Sequence, residues 1–295
     1  MAAGRVIVTG AAGYIGRALT RRLGARAVPL FHRTPVAGGY RFDALTDRLA
    51  GLGPALEGAS HCVILHANAN PNAVARDIAA ADALNRDSCL RVIDDCLRLG
   101  LVPVFASSEA VFGQRTDRPF VETDVPQPCF AYGRQKREVE VFLEAAGRPF
   151  LTVRLARVFG GGGDDATGYS GWLAAIGAGA AIECAADQII SPACLPDAAE
   201  GMARLIEGGH SGIFHLAGER PIRRIELLRL LIAAVGRHRP VQAPVVARRL
   251  ADFPSAEPRP LNSSMSNGKI IAATGLAITP YDTIVDRLAR TVGRA

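Results

Sequence analysis

The sequence predicts an α/β fold, a doubly wound parallel sheet followed by a smaller C-terminal lobe. Three observations predict it. Short β-branched runs alternate with helix-period patterns through the first half, as parallel strands joined by crossover helices require. A glycine-rich turn joins the first run to the first helical pattern. After Gly160 the alternation loosens, which marks the start of a second structural unit.

Taken in order, Arg5–Thr9 reads as a strand, 13–23 as a helix and Ala27–Phe31 as the next strand. Residues 61–66 and 102–106 read as buried strands, with one long helix predicted over 73–99 and stopped by Gly100. Residues 131–146 form an amphipathic helix ending at Gly147, and 150–155 another strand. Gly160 to Gly163, followed by Asp164 and Asp165, reads as a loop. Beyond it, 197–206 is helical, Gly212–Leu216 a strand and 222–235 helical, and two short helices lie near Ile270 and Ile284. The expected division is a dinucleotide-binding domain over 1–160 with a return segment at about 187–217. Residues 161–186 and 218–295 then build a substrate-binding lobe.

Composition narrows the function classes. With 49% hydrophobic and 21% charged residues the chain is globular and can bury a full core. The uncharged run Ala166 to Ile182 is rich in Gly and Ala and too poor in large apolar side chains for a membrane span. The N-terminal apolar stretch is too short for a secretory signal, so the expectation is a cytoplasmic protein with no membrane partner. Six cysteines show neither a CxxC pair nor zinc spacing, so they read as reduced thiols and no metal site is expected. The net charge of +6 comes from arginines spread along the chain, with only Lys136 and Lys269 as lysines. That spread argues against a nucleic-acid stripe and suits a phosphate-bearing small ligand.

The turn Thr9-Gly10-Ala11-Ala12-Gly13-Tyr14-Ile15-Gly16 sits between the first strand and the first helix. Gly10 permits the tight turn, Gly13 lets backbone approach a pyrophosphate, and Gly16 lets helix and strand pack closely. With Tyr14 and Ile15 in the first turn, the helix start offers N–H donors and a positive dipole end to an anion. This is a Rossmann-type signature spaced GxxGxxG. The following strand ends at Phe31-His32-Arg33, without the acid that usually binds a ribose 2′-hydroxyl. Arg33 offers a fork for a 2′-phosphate, or is one more solvated arginine; NADP(H) is favoured, with NAD(H) the alternative. Asp43, beside Ala44, faces the adenine or caps a short helix.

Tyr132 and Lys136 lie four residues apart at the start of a helix and share a face. An ammonium near a phenol favours the phenolate and is expected to lower the tyrosine pKa towards the range of an acid–base catalyst. Ser107 and Ser108 follow the strand at 102–106, at the carboxyl edge where open α/β sheets bind ligands.

The set TGAAGYIG, SSEAVFG and YGRQK resembles the extended short-chain dehydrogenase/reductase family, over nearly the whole length. Residues 187–192 and 259–264 point to its dTDP-4-dehydrorhamnose reductase branch. The resemblance implies that Ser108 is the catalytic hydroxyl, Tyr132 the proton donor, and Lys136 the residue that binds the nicotinamide ribose. It makes Asn85 the helix asparagine linked to a proton relay. It places Ser107, His66 and Ala67 where the family backbone passes the cofactor. Arg157 takes a position from which the family contacts substrate, and Trp172 either stacks on a base or sugar or belongs to a core.

Departures from sister enzymes narrow the expected chemistry. Family 4,6-dehydratases carry an Asp-Glu pair after the catalytic threonine, where this chain has Glu109 and Ala110. Epimerising reductases of GDP-sugars place a cysteine at the position of Ala110. Reduction of a 4-keto group on a nucleotide-activated deoxysugar remains, with Glu109 available as an acceptor for a sugar hydroxyl. An NAD-dependent epimerase or a reductase of a non-sugar carbonyl is the alternative on the same scaffold. A non-catalytic regulatory subunit, such as the beta subunit of methionine adenosyltransferase, is a third. Some members dimerise and use Mg²⁺, so a homodimer is also open.

Overall fold

The computed structural model describes residues 4–113, 117–160 and 168–292. Seven parallel strands form the main sheet. From edge to edge they run Gly212–Leu216, Leu151–Leu155, Val102–Ser108, Ala59–Ile64, Arg5–Thr9, Ala27–Phe31 and Tyr40–Arg41. Successive side chains alternate between two cores, as the pleat demands. Val6, Val8, Val63, Val104 and Ala106 pack on one face beneath the helices Tyr14–Leu23 and Leu195–Glu207. Ile7, Cys62, Ile64 and Phe105 pack on the other, beneath Ser88–Arg98 and Ala131–Ala145. Burial on both sides explains why these strands read as continuous apolar runs.

Strand order reverses beside Arg5–Thr9: Ala27–Phe31 lies on one flank and Ala59–Ile64 on the other. The two connections therefore leave in opposite directions and open a crevice at the carboxyl ends of the strands. A second core lies apart from the sheet. Phe159, Tyr169, Trp172, Leu228, Leu231 and Ile284 are among its buried residues, and the parallel pair Ile182–Ala185 and Val245–Arg248 lies beside it.

Several elements differ from expectation. The helix predicted over 73–99 is four pieces: Pro71–Arg76, Ile78–Asp82, a π turn at Ala83–Asp87, and Ser88–Arg98. Asp77 leaves helical geometry at φ −144°, ψ 80°, and its carboxylate caps the next piece by accepting from the Ala80 amide at 3.0 Å. Apolar periodicity carries through such a break because a restarted helix keeps nearly the same buried face. The helix predicted over 222–235 starts at Arg224, since Ile222–Arg223 pairs antiparallel with Ile189–Ile190. Helix Gly168–Ala178 lies where the sequence gives no helical signal; its Gly- and Ala-rich run lacks a sharp apolar stripe. The sheet core also reaches beyond the expected return segment, because Ile270 and Leu276 pack with Leu205 and Leu216. The Gly-Asp loop expected after Gly160 falls largely at 161–167, outside the described residues. Among the described residues no helix is long and apolar enough to cross a membrane, and no group of three or more His, Cys, Asp or Glu could hold a metal ion.

Candidate active site

The glycine turn has the geometry its residues predict. Gly10 adopts φ +64°, and a Cβ there would stand 3.0 Å from the His66 amide nitrogen on the neighbouring strand end. At Gly16 a Cβ would reach within 2.2 Å of the Gly10 carbonyl oxygen, so only glycine lets the helix start this close. Gly13 donates its N–H to that carbonyl at 2.9 Å and carries no side chain over the helix end. The first helical turn holds no acidic residue, and Gly10, Gly13, Tyr14, Ile15 and Gly16 line a cleft of about 680 Å³. First-turn amides facing such a cleft, at the positive end of the helix, suit a pyrophosphate.

The expected flank of this site is built differently in part. Ala67 lines the cleft, but the His66 ring is turned into the protein. Its Nδ1 meets Thr9 Oγ1 at 2.8 Å and its Nε2 meets Ser88 Oγ at 2.9 Å. Burial pushes His66 down to about 3, so the ring is neutral and ties together the strand ends on either side of the crevice. Arg33 is exposed. Asp43 accepts from the Leu45 amide at 3.0 Å, has His32 Nε2 at 3.5 Å, and precedes Ala44, whose carbonyl takes the Arg91 guanidinium. Arg33, Asp43 and Ala44 follow the carboxyl ends of the last two strands on one flank of the sheet, Ala27–Phe31 and the edge strand Tyr40–Arg41, outside the cleft lining.

Ser107, Ser108, Glu109, Tyr132, Lys136 and Arg157 line the same cleft as the glycines. The helix bearing Tyr132 and Lys136 approaches the Glu109–Val111 turn closely: a Cβ on Gly133 would lie 2.1 Å from the Ala110 carbonyl oxygen. Ser108 caps that turn, its hydroxyl accepting from the Ala110 amide at 3.2 Å. The Ser107 hydroxyl donates to Glu140 at 2.6 Å. Lys136 donates to the Ala106 carbonyl at 2.8 Å and stands 5.6 Å from the Tyr132 ring centre.

The titration of this group departs from the sequence expectation. Burial pushes the Tyr132 phenol up, with Glu109 and Cys89 adding to the shift, instead of the lysine pulling it down. Burial likewise lowers Lys136. Desolvation outweighs the lysine because the ammonium lies over the ring and commits one hydrogen to Ala106. Burial raises Glu109 to about 7 against the opposing pull of Arg157.

Asn85 and Trp172 stand off the cleft. Asn85, fully buried on the π turn, accepts from the Asn68 amide at 2.7 Å and donates to the Asn68 carbonyl at 3.0 Å and to Gln135 at 2.8 Å. Its amide thus fastens the loop after Ala67 to the Tyr132 helix. Trp172 is buried in the second core, edge-on to Tyr169 at 5.2 Å with the Arg224 guanidinium 5.5 Å from its ring.

Sequence reasoning missed Gly133, Glu257 and Arg259. Glu257 and Arg259 line the cleft and bond residues 126 and 187 positions away in the chain, Ala131 and Asn72, and no local spacing announces such contacts. Arg259 donates to Asn72 at 3.2 Å, while its Nε is buried with no partner among the described residues. Burial, Arg157 and Arg224 together pull Arg259 down. Arg157 and Arg224 also line a smaller cavity of about 50 Å³ next to Glu109. Burial and the neighbouring Arg157 also pull Arg224 down, and an anion among these guanidinium groups would relieve Arg224 and Arg259.

A doubly wound sheet with a glycine turn at its switch point and a Ser, Tyr and Lys at its carboxyl edge defines an extended short-chain dehydrogenase/reductase. The chain belongs to the family described as the RmlD substrate binding domain, whose model matches residues 4–293. It is 26% identical over 297 residues to a dTDP-4-dehydrorhamnose reductase of Mycolicibacterium smegmatis, covering 98% of this chain and 86% of that protein. A probable low-salt glycan biosynthesis reductase, Agl14, of Haloferax volcanii is 29% identical over 164 residues, 55% of this chain and 54% of that one. The fold matches a dTDP-4-dehydrorhamnose reductase of Bacillus anthracis solved in complex with NADP. That match has a TM-score of 0.81 and 20% identity, over 97% of this chain and 98% of the other.

Proposed function

We propose that the chain is an NAD(P)H-dependent reductase of a 4-keto group on a nucleotide-activated deoxysugar, with NADP(H) the preferred cofactor. The observation that carries this reading is one continuous cleft. It runs from the glycine turn past Ser108, Tyr132 and Lys136 to Arg157 and Arg259. The backbone at Gly10 and Gly16, where a Cβ would collide, fits a dinucleotide pyrophosphate. Arg33, beyond the second strand, suits the 2′-phosphate. Bound NADPH would supply hydride.

The remaining work falls to this chain's side chains. The Ser108 hydroxyl hydrogen-bonds the substrate ketone oxygen, and Tyr132 gives its phenolic proton to the oxygen as negative charge develops there. A phenol kept protonated by burial suits a proton donor. Lys136, steered by the Ala106 carbonyl, holds the nicotinamide ribose and stabilises the phenolate left after proton transfer. Arg157, Arg224 and Arg259 take the diphosphate, the anion their crowding calls for. Glu109 accepts a hydroxyl of the sugar.

The test is NADPH oxidation against a panel of dTDP-, UDP- and GDP-4-keto sugars, with Tyr132→Phe as the control. Turnover of one sugar, abolished in the variant while NADPH still binds, is the expected result. Unimpaired turnover in Tyr132→Phe would refute the assignment.

A further inference from the structure

The helix that carries Tyr132 and Lys136 begins without a cap of its own. Its N-cap residue, Phe130, has no side-chain acceptor for the first amides, which lack partners one turn back. The acceptor comes from far along the chain. Both carboxylate oxygens of Glu257 take the Ala131 amide at 3.0 Å, and one also takes the Arg134 guanidinium at 3.0 Å. A carboxylate at this place satisfies an orphan donor and opposes the positive end of the helix.

Glu257 belongs to a segment, residues 255–260, of which Ser255, Glu257, Pro258, Arg259 and Pro260 line the cleft. Among the described residues, the bonds that hold this segment include one from Gln188 Nε2 to the Pro260 carbonyl at 3.5 Å. Besides Glu257 they include Arg259 to Asn72 at 3.2 Å and Cys129 Sγ to the Pro258 carbonyl at 3.7 Å. On its other side the helix is fixed by Gly133 against the Ala110 carbonyl. Tyr132 thus sits between a rigid stop on the sheet side and a single charged clasp from the far wall. A carboxylate is also an unsuitable ligand group on a wall that carries Arg157 and Arg259, and its hydrogen bonds turn it towards the helix instead.

We propose that Glu257 is a positioning residue for the reduction: by clasping the Ala131 amide it sets where the Tyr132 phenol stands relative to Ser108, and it makes that placement depend on how residues 255–260 are seated. The inference rests on the functional reading above.

The test compares Glu257→Ala, Glu257→Gln and Arg134→Met with the wild-type enzyme on the sugar it reduces best. Small misplacement of a reacting group costs rate and not cofactor affinity, so Glu257→Ala should lose about tenfold or more in kcat with the KM for NADPH unchanged. The solvent isotope effect on kcat should rise, because proton transfer from a displaced phenol becomes the slow step. Glu257→Gln keeps an oxygen acceptor and should recover most of the loss, while Arg134→Met keeps the clasp and should stay near wild type. A residue that only stabilised the fold would lower Tm and leave kcat and the isotope effect alone; that result, or equal losses in Glu257→Ala and Arg134→Met, overturns the proposal. If the wild-type enzyme reduces no sugar, the functional reading fails first. The clasp is then judged by amide hydrogen exchange over 130–136 with NADPH present: faster exchange in Glu257→Ala than in Arg134→Met upholds it, and equal exchange overturns it.

Discussion

Glu140 and Arg154 meet in a two-pronged ion pair from which water is excluded. The Arg154 Nε and a terminal nitrogen each donate to one Glu140 oxygen at 2.9 Å, and the side chains are 0% and 1% exposed, low enough that solvent does not screen the pair. Glu140 lies one turn beyond Lys136 on the same helix and also accepts from Ser107, the residue before Ser108. Arg154 stands over the Phe112 ring at 5.0 Å. The pair therefore joins the helix of Tyr132 and Lys136 to two strands of the sheet.

Removing Glu140 leaves Arg154 charged and dry, whereas removing Arg154 leaves Glu140 held only by Ser107 and by the partly exposed Arg137 guanidinium at 3.1 Å. Glu140→Gln or Arg154→Met alone should destabilise the protein by about 3–5 kcal/mol in urea unfolding. Joint replacement by Leu and Met should cost less than the sum, because no bare charge remains. Equal and additive losses would mean that the pair is not coupled.

Gly133 makes a sharper test of site geometry. With the Ala110 carbonyl oxygen 2.1 Å from where a methyl group would stand, Gly133→Ala must push the helix away from the Glu109–Val111 turn. The expected cost is about 1–3 kcal/mol of overpacking, with a marked fall in kcat. Gly171→Ala, on an exposed helix position facing open space, should instead stabilise by up to about 1 kcal/mol. Thermal melts and turnover of both variants check the contrast.

Glu109 should give the protein a pH dependence near neutrality. Its folded-state value of about 7 lies above its ordinary 4.5, so between those values the folded chain holds a proton that the unfolded chain releases. Its stabilising contribution is complete below about pH 4.5 and is lost as pH rises through 7. Glu109→Gln should flatten that slope in unfolding measured across pH 4–8, and should remove an inflection near pH 7 in the substrate KM. A slope unchanged in the variant would assign it to another group.

Arg33 decides cofactor preference if it meets the 2′-phosphate. Arg33→Ala should raise the KM for NADPH about tenfold or more and leave that for NADH nearly unchanged, the loss of one charge-assisted contact being worth about 1.5–3 kcal/mol. Parallel kinetics with the two cofactors read the outcome.

Much of the sheet domain was legible because its signals are local. Val6–Val8 and Val104–Ala106 report two-sided burial, the Gly10 and Gly16 turn reports close backbone approach, and Tyr132 with Lys136 reports a shared helical face. What escaped prediction depends on contacts distant in sequence. The break at Asp77 leaves apolar spacing intact and shows only in a capping carboxylate. His66 carries the right position for a cofactor neighbour, but its ring is claimed by Thr9 and Ser88. Trp172 could be assigned to ligand or core only once Tyr169 and Arg224 were seen against it. The rise of the Tyr132 pKa was hidden because spacing gives the distance to a charge but not the loss of water around the phenol.

The chain crosses between the sheet and the second core repeatedly: out after Phe159, back for Leu195–Glu207 and Gly212–Leu216, out again for Arg224–Gly236, back for Gly268–Thr274 and out once more for Tyr281–Ala289. No single cut separates them. A gene fragment ending at residue 160 would expose the flank of Leu151–Leu155 and strip the helix Leu195–Glu207 from the sheet, so neither half should be obtainable as a folded product by itself.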